Sequence, residues 1–235
     1  MICIMSNCIF FGVLLIKGAV YCSHRVLSLG TGIIAYWIWC TASACCLVLG
    51  LNRLFEMVNL SRFFSATRTN IYLGICTTYG LFMTFFTRPV SVNSALQAVF
   101  FSPFIPGHGL EEYVNWPHAV HNMVIASGSF VLYATLVPVI VTKSRSVVTD
   151  ANRSRVSSNI NTVFVQVMLI CAANLIATTF YVYMNFMTSP PALIVVGHMA
   201  FQFVHGLPPF IYLALNTSIR SYALRASGLG TLMSS

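Results

Sequence analysis

Charged side chains are scarce in this sequence, and carboxylates are the scarcest of all. Only 7% of the 235 residues are charged, with 12 Lys or Arg against 4 Asp or Glu, whereas soluble globular domains carry about 25%. So few charges cannot cover a water-facing surface of this size, which excludes a soluble enzyme core. A hydrophobic share of 57% and a mean hydropathy of +0.82 exclude a disordered tail as well.

Recognisable site motifs are also missing. The eight cysteines include no CxxC pair and no Cys/His pair at metal-ligand spacing, which disfavours a zinc or redox site. The low charge and long apolar stretches exclude a secreted disulfide scaffold. Most of the cysteines lie inside apolar stretches, where a thiol behaves as a small hydrophobic group. The net charge of +8 is spread singly along the chain, so it does not indicate nucleic-acid binding. We therefore predict no enzyme activity, catalytic residues, metal or cofactor.

The apolar residues are concentrated in stretches close to the ~20 residues that a helix needs to cross a bilayer. These stretches predict an all-α, polytopic bundle of transmembrane helices, forming one domain with the lipid bilayer as its partner. The six predicted spans are residues 2–22, 27–51, 71–86, 119–141, 163–183 and 193–215.

The positions of the basic residues predict the orientation of the chain. Nine Lys or Arg fall on one side of the predicted spans and three on the other, and the side rich in positive charge is normally cytoplasmic. Both termini, the loop 142–161 and the tail 216–235 are then cytoplasmic, in what we expect to be the plasma membrane. The longest predicted non-helical stretch, residues 87–117, lies outside, and a loop of that length is usually functional.

Six short segments together resemble one family, the nematode seven-helix chemoreceptors called serpentine receptor class T. They are residues 18–22 (GAVYC), 49–56 (LGLNRLFE), 79–81 (YGL), 113–118 (YVNWPH), 181–183 (YVY) and 205–220 (HGLPPFIYLALNTSIR). The resemblance implies a bundle like that of a G-protein-coupled receptor, which senses an external small molecule and signals to a heterotrimeric G protein.

The resemblance also leaves alternatives open. Members of that family have a further helix before the segment that corresponds to the first span here, so a truncated, non-functional receptor fragment is one alternative. A small transporter or channel is another, and it would call for internal repeats, broken half-helices or buried acidic residues. None of these is visible in the sequence.

Residues at the inner ends of two spans are candidates for coupling to the G protein. Arg53 resembles the arginine that seven-helix receptors keep at the inner end of their third helix, and Glu56 lies three residues on, on the same helix face. Any arginine at such an end can instead simply anchor the helix. The candidates are Asn52, Arg53, Glu56, Asn216 and Arg220; an ordinary helix end is the alternative for the last two.

A proline pair in the last span is a candidate hinge. Pro208 and Pro209 remove two backbone donors, so we expect a bend there. The bend could take part in an activating movement or could be static.

Polar side chains in the outer halves of the spans are candidates for ligand binding, because polar groups avoid lipid and point into the bundle. They include the pair His118 and His121, the pair His198 and His205, and Asn122. The residues predicted to bind ligand are Tyr36, His121, Tyr181, His198 and Gln202. Hydrogen bonding between helices is the alternative for each of them. A metal site made from the four histidines lacks an accompanying carboxylate or cysteine.

Overall fold

The computed structural model describes residues 5–147, 153–187 and 189–226. Within these ranges the chain is mostly helical. A π-helical turn (Met5–Phe10) leads into seven α-helices, which are α1 (Phe11–Ile16), α2 (Arg25–Met57), α3 (Ala66–Phe86), α4 (Trp116–Val147), α5 (Arg153–Phe186), α6 (Pro191–Leu215) and α7 (Thr217–Ala226). Two short strands, β1 (Ser91–Asn93) and β2 (Ala98–Phe100), and two 3₁₀ turns (Ser61–Phe64 and Leu110–Tyr113) complete the described elements.

The surface of the helix bundle is apolar and its interior contains polar groups. The outward-facing rings of Phe85, Phe130 and Phe210 are 71%, 65% and 70% exposed, whereas the side chain of Asn122 is fully buried. This arrangement suits hydrocarbon rather than water around the helices. The predicted class, a transmembrane helical bundle, is confirmed.

The helices of the bundle differ in how well their length and composition suit a membrane span. Within the described residues, four helical segments are long and apolar enough to cross a membrane: Arg25–Met57, Trp116–Val139, Val165–Met184 and Pro191–Leu215. The 21-residue helix α3 has the length to cross, but Arg68 and Asn70 near its start make it less apolar. The first predicted span is a π-helical turn followed by α1, with residues 1–4 outside the described part. Six spans remain a prediction.

The loop and tail that are predicted to be cytoplasmic contain more helix than the sequence predicts. The predicted loop 142–161 is helical over 142–147, the end of α4, and over 153–161, the start of α5. The remaining residues, 148–152, lie outside the described ranges. The predicted tail 216–235 contains α7, and its residues 227–235 also lie outside the description. The sequence does not predict these helical extensions, because their residues are polar and show no apolar periodicity. A helix outside the bilayer does not need an apolar face.

The long stretch 87–117, which is predicted to lie outside, contains a β-hairpin that the sequence does not predict. β1 and β2 are antiparallel, with Val92 opposite Val99. The hairpin lies against α2, where the Ser28 hydroxyl donates to the carbonyl oxygen of Val92 (3.1 Å) and accepts from its N–H (2.9 Å). At Gly32 a β-carbon would lie 2.1 Å from the carbonyl oxygen of Val90, so only glycine allows this approach. The hairpin is thereby fixed over one end of the bundle.

Candidate functional site

A cavity of about 150 Å³ lies beneath the hairpin. Its walls come from α2, the hairpin segment and the facing ends of α4, α5 and α6, and most of them are aromatic or aliphatic. The lining residues are Ala35, Tyr36, Trp39, Val90, Val99, Phe100, Phe101, His118, Tyr181, Met184 and Phe201. An apolar cavity of this volume holds a molecule about the size of benzene.

Three rings pack together on one side of the cavity. The ring centroid of Trp39 lies 5.4 Å from that of Tyr181 and 5.3 Å from that of Phe201, and the last two are 6.2 Å apart. Aromatic pairs at these separations stabilise one another beyond the area they bury. This wall, drawn from α2, α5 and α6, therefore has a defined shape in the absence of a ligand.

A chain of buried hydrogen bonds joins α2 to the polar side of the cavity. The indole Nε1–H of Trp39 donates to Oδ1 of Asn122 (3.0 Å), and Nδ2 of Asn122 lies 3.0 Å from Nε2 of His118. His118 is only 7% exposed, and its Nδ1 has no hydrogen-bond partner among the described residues. Of the four histidines singled out from the sequence, His118 is the one that lines the cavity.

A second chain joins α2, α3 and α4 away from the cavity. The Tyr79 hydroxyl lies 2.8 Å from Nδ1 of His121, and Nε2 of the same ring lies 3.0 Å from Oγ of Ser43. Ser43 in turn donates to the carbonyl oxygen of Trp39 (2.6 Å). Both ring nitrogens of His121 are thus satisfied within the protein.

A third polar group, the Asn115 side chain, fixes the N-terminal end of α4. The side-chain oxygen of Asn115 accepts the backbone N–H of His118 (3.0 Å), which caps the helix. Its amide donates to Oγ1 of Thr87 (3.0 Å) and to the carbonyl oxygen of Arg88 (3.0 Å). The Tyr36 hydroxyl lies 3.1 Å from the same Thr87 oxygen. The Tyr36 ring therefore lines the cavity while its hydroxyl is engaged elsewhere.

The structure separates the predicted ligand-binding residues into two groups. Tyr36 and Tyr181 line the cavity, but His121, His198 and Gln202 do not. Nε2 of His198 lies 3.3 Å from Nε2 of Gln202, one turn along α6, and its ring packs 4.3 Å from that of Phe11. His121 is among the ligand-binding residues predicted from the sequence and His118 is not, whereas the structure places His118 in the cavity wall. Only tertiary contacts show which of the two rings faces the cavity.

The predicted coupling residues lie at the C-terminal ends of α2 and α6 and at the start of α7, away from the cavity. Nη1 of Arg53 is 2.6 Å from Oε2 of Glu56, so the ion pair expected from their spacing is present, and Asn52 precedes it on the same last turns. Asn216 Oδ1 accepts the N–H of Ile219 (3.1 Å), which caps α7. Nη1 of Arg220 donates to the carbonyl oxygen of Ala214 (3.0 Å), near the end of α6.

The candidate hinge lies inside the last long helix. Pro208 and Pro209 belong to α6, which continues as a helix to Leu215.

Within the part of the chain that the structure describes, no three His, Cys, Asp or Glu side chains come together to hold a metal ion. Chemically, the site can enclose a small apolar molecule and offer it a few polar atoms.

Comparison with known proteins gives one family. The family model described as serpentine type 7TM GPCR chemoreceptor Srt matches residues 1–232. Serpentine receptor class T-55 of Caenorhabditis elegans is 26% identical over 219 residues, which are 92% of this chain and 59% of that protein. The chain thus spans less than two thirds of the length of this curated relative. No solved structure matches the chain.

Proposed function

The chain belongs to the Srt family of serpentine seven-transmembrane chemoreceptors, and from that premise we propose that it detects an external small molecule in the cavity beneath the hairpin. Binding would favour one of two arrangements of the helices and so change the surface offered to a heterotrimeric G protein at the other end of the bundle. The proposal includes no enzymatic step.

The cavity is the observation that supports ligand detection. It is lined by packed aromatic rings and by a hairpin fixed to α2, and it joins apolar walls with a few polar groups, as small-molecule sites commonly do. The hairpin covers the cavity on the side that the distribution of basic residues assigns to the cell exterior. A ligand from outside would therefore enter from the hairpin side.

Support for coupling comes from the other end of α2. The Arg53–Glu56 pair is partly exposed, with 29% and 57% of the two side chains accessible. Such pairs contribute little to stability, about 0–1 kcal/mol, so a G protein could displace Glu56 at small cost. By the same orientation, this end and the C-terminus face the cytoplasm of a plasma-membrane receptor.

A signalling assay in cells with a reporter G protein tests the proposal. The chain is titrated with uncharged molecules of six to eight non-hydrogen atoms, beginning with cyclohexanone. Arg53→Ala should lower the maximal response at an unchanged half-maximal concentration, whereas Val99→Phe, which fills the cavity, should raise that concentration at least about tenfold.

Arg62→Ala is the matched control, because Arg62 is an exposed arginine on the 3₁₀ turn at the same end of the bundle. It should leave the response unchanged. Ligand-driven signalling that is indifferent to both Arg53→Ala and Val99→Phe would contradict the proposal.

A further inference from the structure

Four of the residues that line the cavity have a nitrogen or oxygen atom in the side chain, and three of these groups are engaged or enclosed. The Tyr36 hydroxyl lies 3.1 Å from Oγ1 of Thr87, and the Trp39 indole donates to Oδ1 of Asn122 (3.0 Å). Nε2 of His118 lies 3.0 Å from Nδ2 of Asn122, and Nδ1 of the same ring is enclosed by packing and has almost no accessible surface.

The fourth polar group, the hydroxyl of Tyr181, is free. It makes no hydrogen bond within the described part of the chain, and it is not one of the unpartnered polar atoms that the packing encloses completely. A phenol oxygen in this state is open to contact from outside the protein. Which molecules reach it depends on whether the side chain faces the cavity or the lipid.

The position of Tyr181 on α5 directs its side chain to the cavity. Residues three or four apart share one face of a helix. On this face, Ala177 is fully buried one turn before Tyr181, and Met184 lines the cavity one turn after it. The Tyr181 ring packs against two further lining residues, with its centroid 5.4 Å from that of Trp39 and 6.2 Å from that of Phe201.

The lipid-facing side of α5 is formed by other residues. Ile176 and Tyr183 are 57% and 47% exposed, and they line an open groove on α5 and α6 to which Tyr181 does not contribute. The free hydroxyl of Tyr181 therefore belongs to the cavity side of the helix. Tyr183 offers a matched control, because it carries the same phenol group two residues away and on the opposite side.

The remainder of the wall favours neutral molecules. None of the eleven residues that line the cavity is Asp, Glu, Lys or Arg, and an unpaired charge is far more costly to bury than a neutral polar group. A hydroxyl can donate as well as accept, so the Tyr181 O–H can pair with a carbonyl or hydroxyl oxygen. Aromatic and aliphatic groups are left to contact the apolar part of the molecule.

We propose that the Tyr181 hydroxyl makes the cavity selective for small, uncharged molecules that carry one carbonyl or hydroxyl oxygen on an apolar body, and that it donates a hydrogen bond to this oxygen. Hydrocarbons of the same shape would fill the cavity but gain no hydrogen bond. This inference rests on the proposed function of the cavity as the ligand site.

Two molecules of nearly equal shape test the selectivity. Cyclohexanone carries a carbonyl oxygen where methylenecyclohexane carries a CH₂ group. Their dissociation constants are measured by saturation-transfer NMR on the 235-residue chain in lipid nanodiscs, with empty nanodiscs as the blank. The quantity of interest is the ratio of the two affinities, because comparing this ratio between variants cancels the different partitioning of the two molecules into lipid.

Tyr181→Phe keeps the aromatic ring and removes only the hydroxyl. It should lower the preference for cyclohexanone about tenfold, the effect of one net hydrogen bond. The affinity for methylenecyclohexane should stay unchanged, which shows that the variant retains the cavity. The carbonyl ¹³C resonance of cyclohexanone at saturation should lie upfield in Tyr181→Phe, because the carbonyl carbon is less deshielded without the hydrogen bond.

Two further variants remove a tyrosine hydroxyl without removing the proposed contact. Tyr183→Phe is the matched control on the lipid-facing side of α5. Tyr36→Phe removes a hydroxyl from the cavity wall itself, but one that is already engaged with Thr87. Both variants should leave the ratio of the two affinities unchanged.

The possible failures can be told apart. An unchanged ratio in Tyr181→Phe, or a ratio that collapses in Tyr36→Phe or Tyr183→Phe instead, overturns the assignment of Tyr181 while the cavity remains the ligand site. If neither molecule binds saturably, or if Val99→Phe binds both as well as the unchanged chain does, the cavity is not the ligand site and both proposals fall.

Discussion

The two ends of the bundle are held together in different ways. At the hairpin end, side-chain hydrogen bonds join parts of the chain that are far apart in sequence, such as Trp39 with Asn122 and Ser28 with Val92. Towards the other end, several side-chain hydrogen bonds are local, such as Arg53 with Glu56 or Tyr72 with the carbonyl oxygen of Phe63. One described contact in that half, between the thiols of Cys46 and Cys171, joins distant parts of the chain.

At the end of the bundle away from the hairpin, the helices pack mostly through apolar contacts, which are non-directional. Met57, Leu132 and Leu136 form an apolar cluster between α2 and α4. Apolar contacts allow helices to shift against one another more readily than a buried hydrogen-bond chain does, because a displaced polar group inside a membrane protein loses its partner. In the proposed function, the cavity end is therefore the fixed part of the bundle and the opposite end is the part that rearranges.

The largest effect on stability should follow from breaking the hydrogen bonds at the cavity end. Asn122→Leu keeps the side-chain volume similar but leaves Trp39 Nε1–H and His118 Nε2 without partners. We expect the free energy of unfolding in mixed micelles to fall by about 2 kcal/mol, since two buried polar groups are affected and such bonds are modest in membranes.

Tyr72→Phe supplies the comparison at the other end. It removes the hydroxyl that donates to the carbonyl oxygen of Phe63 (3.3 Å), an exposed and local bond. The free energy of unfolding should change by no more than about 0.5 kcal/mol. Equal losses in the two variants would remove the distinction between the ends.

The sequence predicts the helices better than it predicts the site, for a physical reason. A bilayer imposes a length and an apolar composition on each span, so the long helices can be placed from the sequence alone. The hairpin 91–100 obeys no such rule, since its short strands are positioned by Ser28 and Gly32 of a distant helix.

The two histidines of α4 show where sequence reasoning stops. His118 and His121 are three residues apart, and both are buried, but Ser43 and Tyr79 satisfy only the second. Neither partner is near His121 in the sequence. A pattern of polar residues can therefore predict that a group points inwards, but not whether a neighbour already occupies its hydrogen bonds.

The smallest expected effect concerns the loop that precedes α4. The Glu112 carboxylate accepts from Nδ1 of His108 (2.9 Å) and from the N–H of Gly109 (3.1 Å), and these contacts lower the pKa of Glu112. The stabilisation of the turn Leu110–Tyr113 is then complete above the ordinary glutamate pKa and is lost as the pH falls through the lowered one.

Hydrogen–deuterium exchange in residues 108–113 measures this loss. The exchange rates are corrected for their intrinsic values and compared with those of the same segment in the Glu112→Gln variant. Exchange in the unchanged chain should approach that of Glu112→Gln as the pH falls, and Glu111→Gln should behave like the unchanged chain. Because the pair is exposed, stability of the whole protein should not change measurably. Acid-independent protection of this segment would contradict the role given to Glu112.

The contrast between a fixed cavity end and a movable opposite end is tested most directly by locking α2 to α5. Sγ of Cys46 and Sγ of Cys171 lie 3.1 Å apart on these helices, and Cys46 belongs to the half of α2 that leads to Arg53. Copper–phenanthroline should oxidise the two thiols to a disulfide, which mass spectrometry can verify. The Cys171→Ser variant cannot form this disulfide and is the control. The Cys22→Ser variant lacks a different cysteine and should still form it. We predict that the linked protein binds cyclohexanone with unchanged affinity but loses cyclohexanone-stimulated GTPγS binding to the G protein. Full signalling by the verified cross-linked protein would contradict the account.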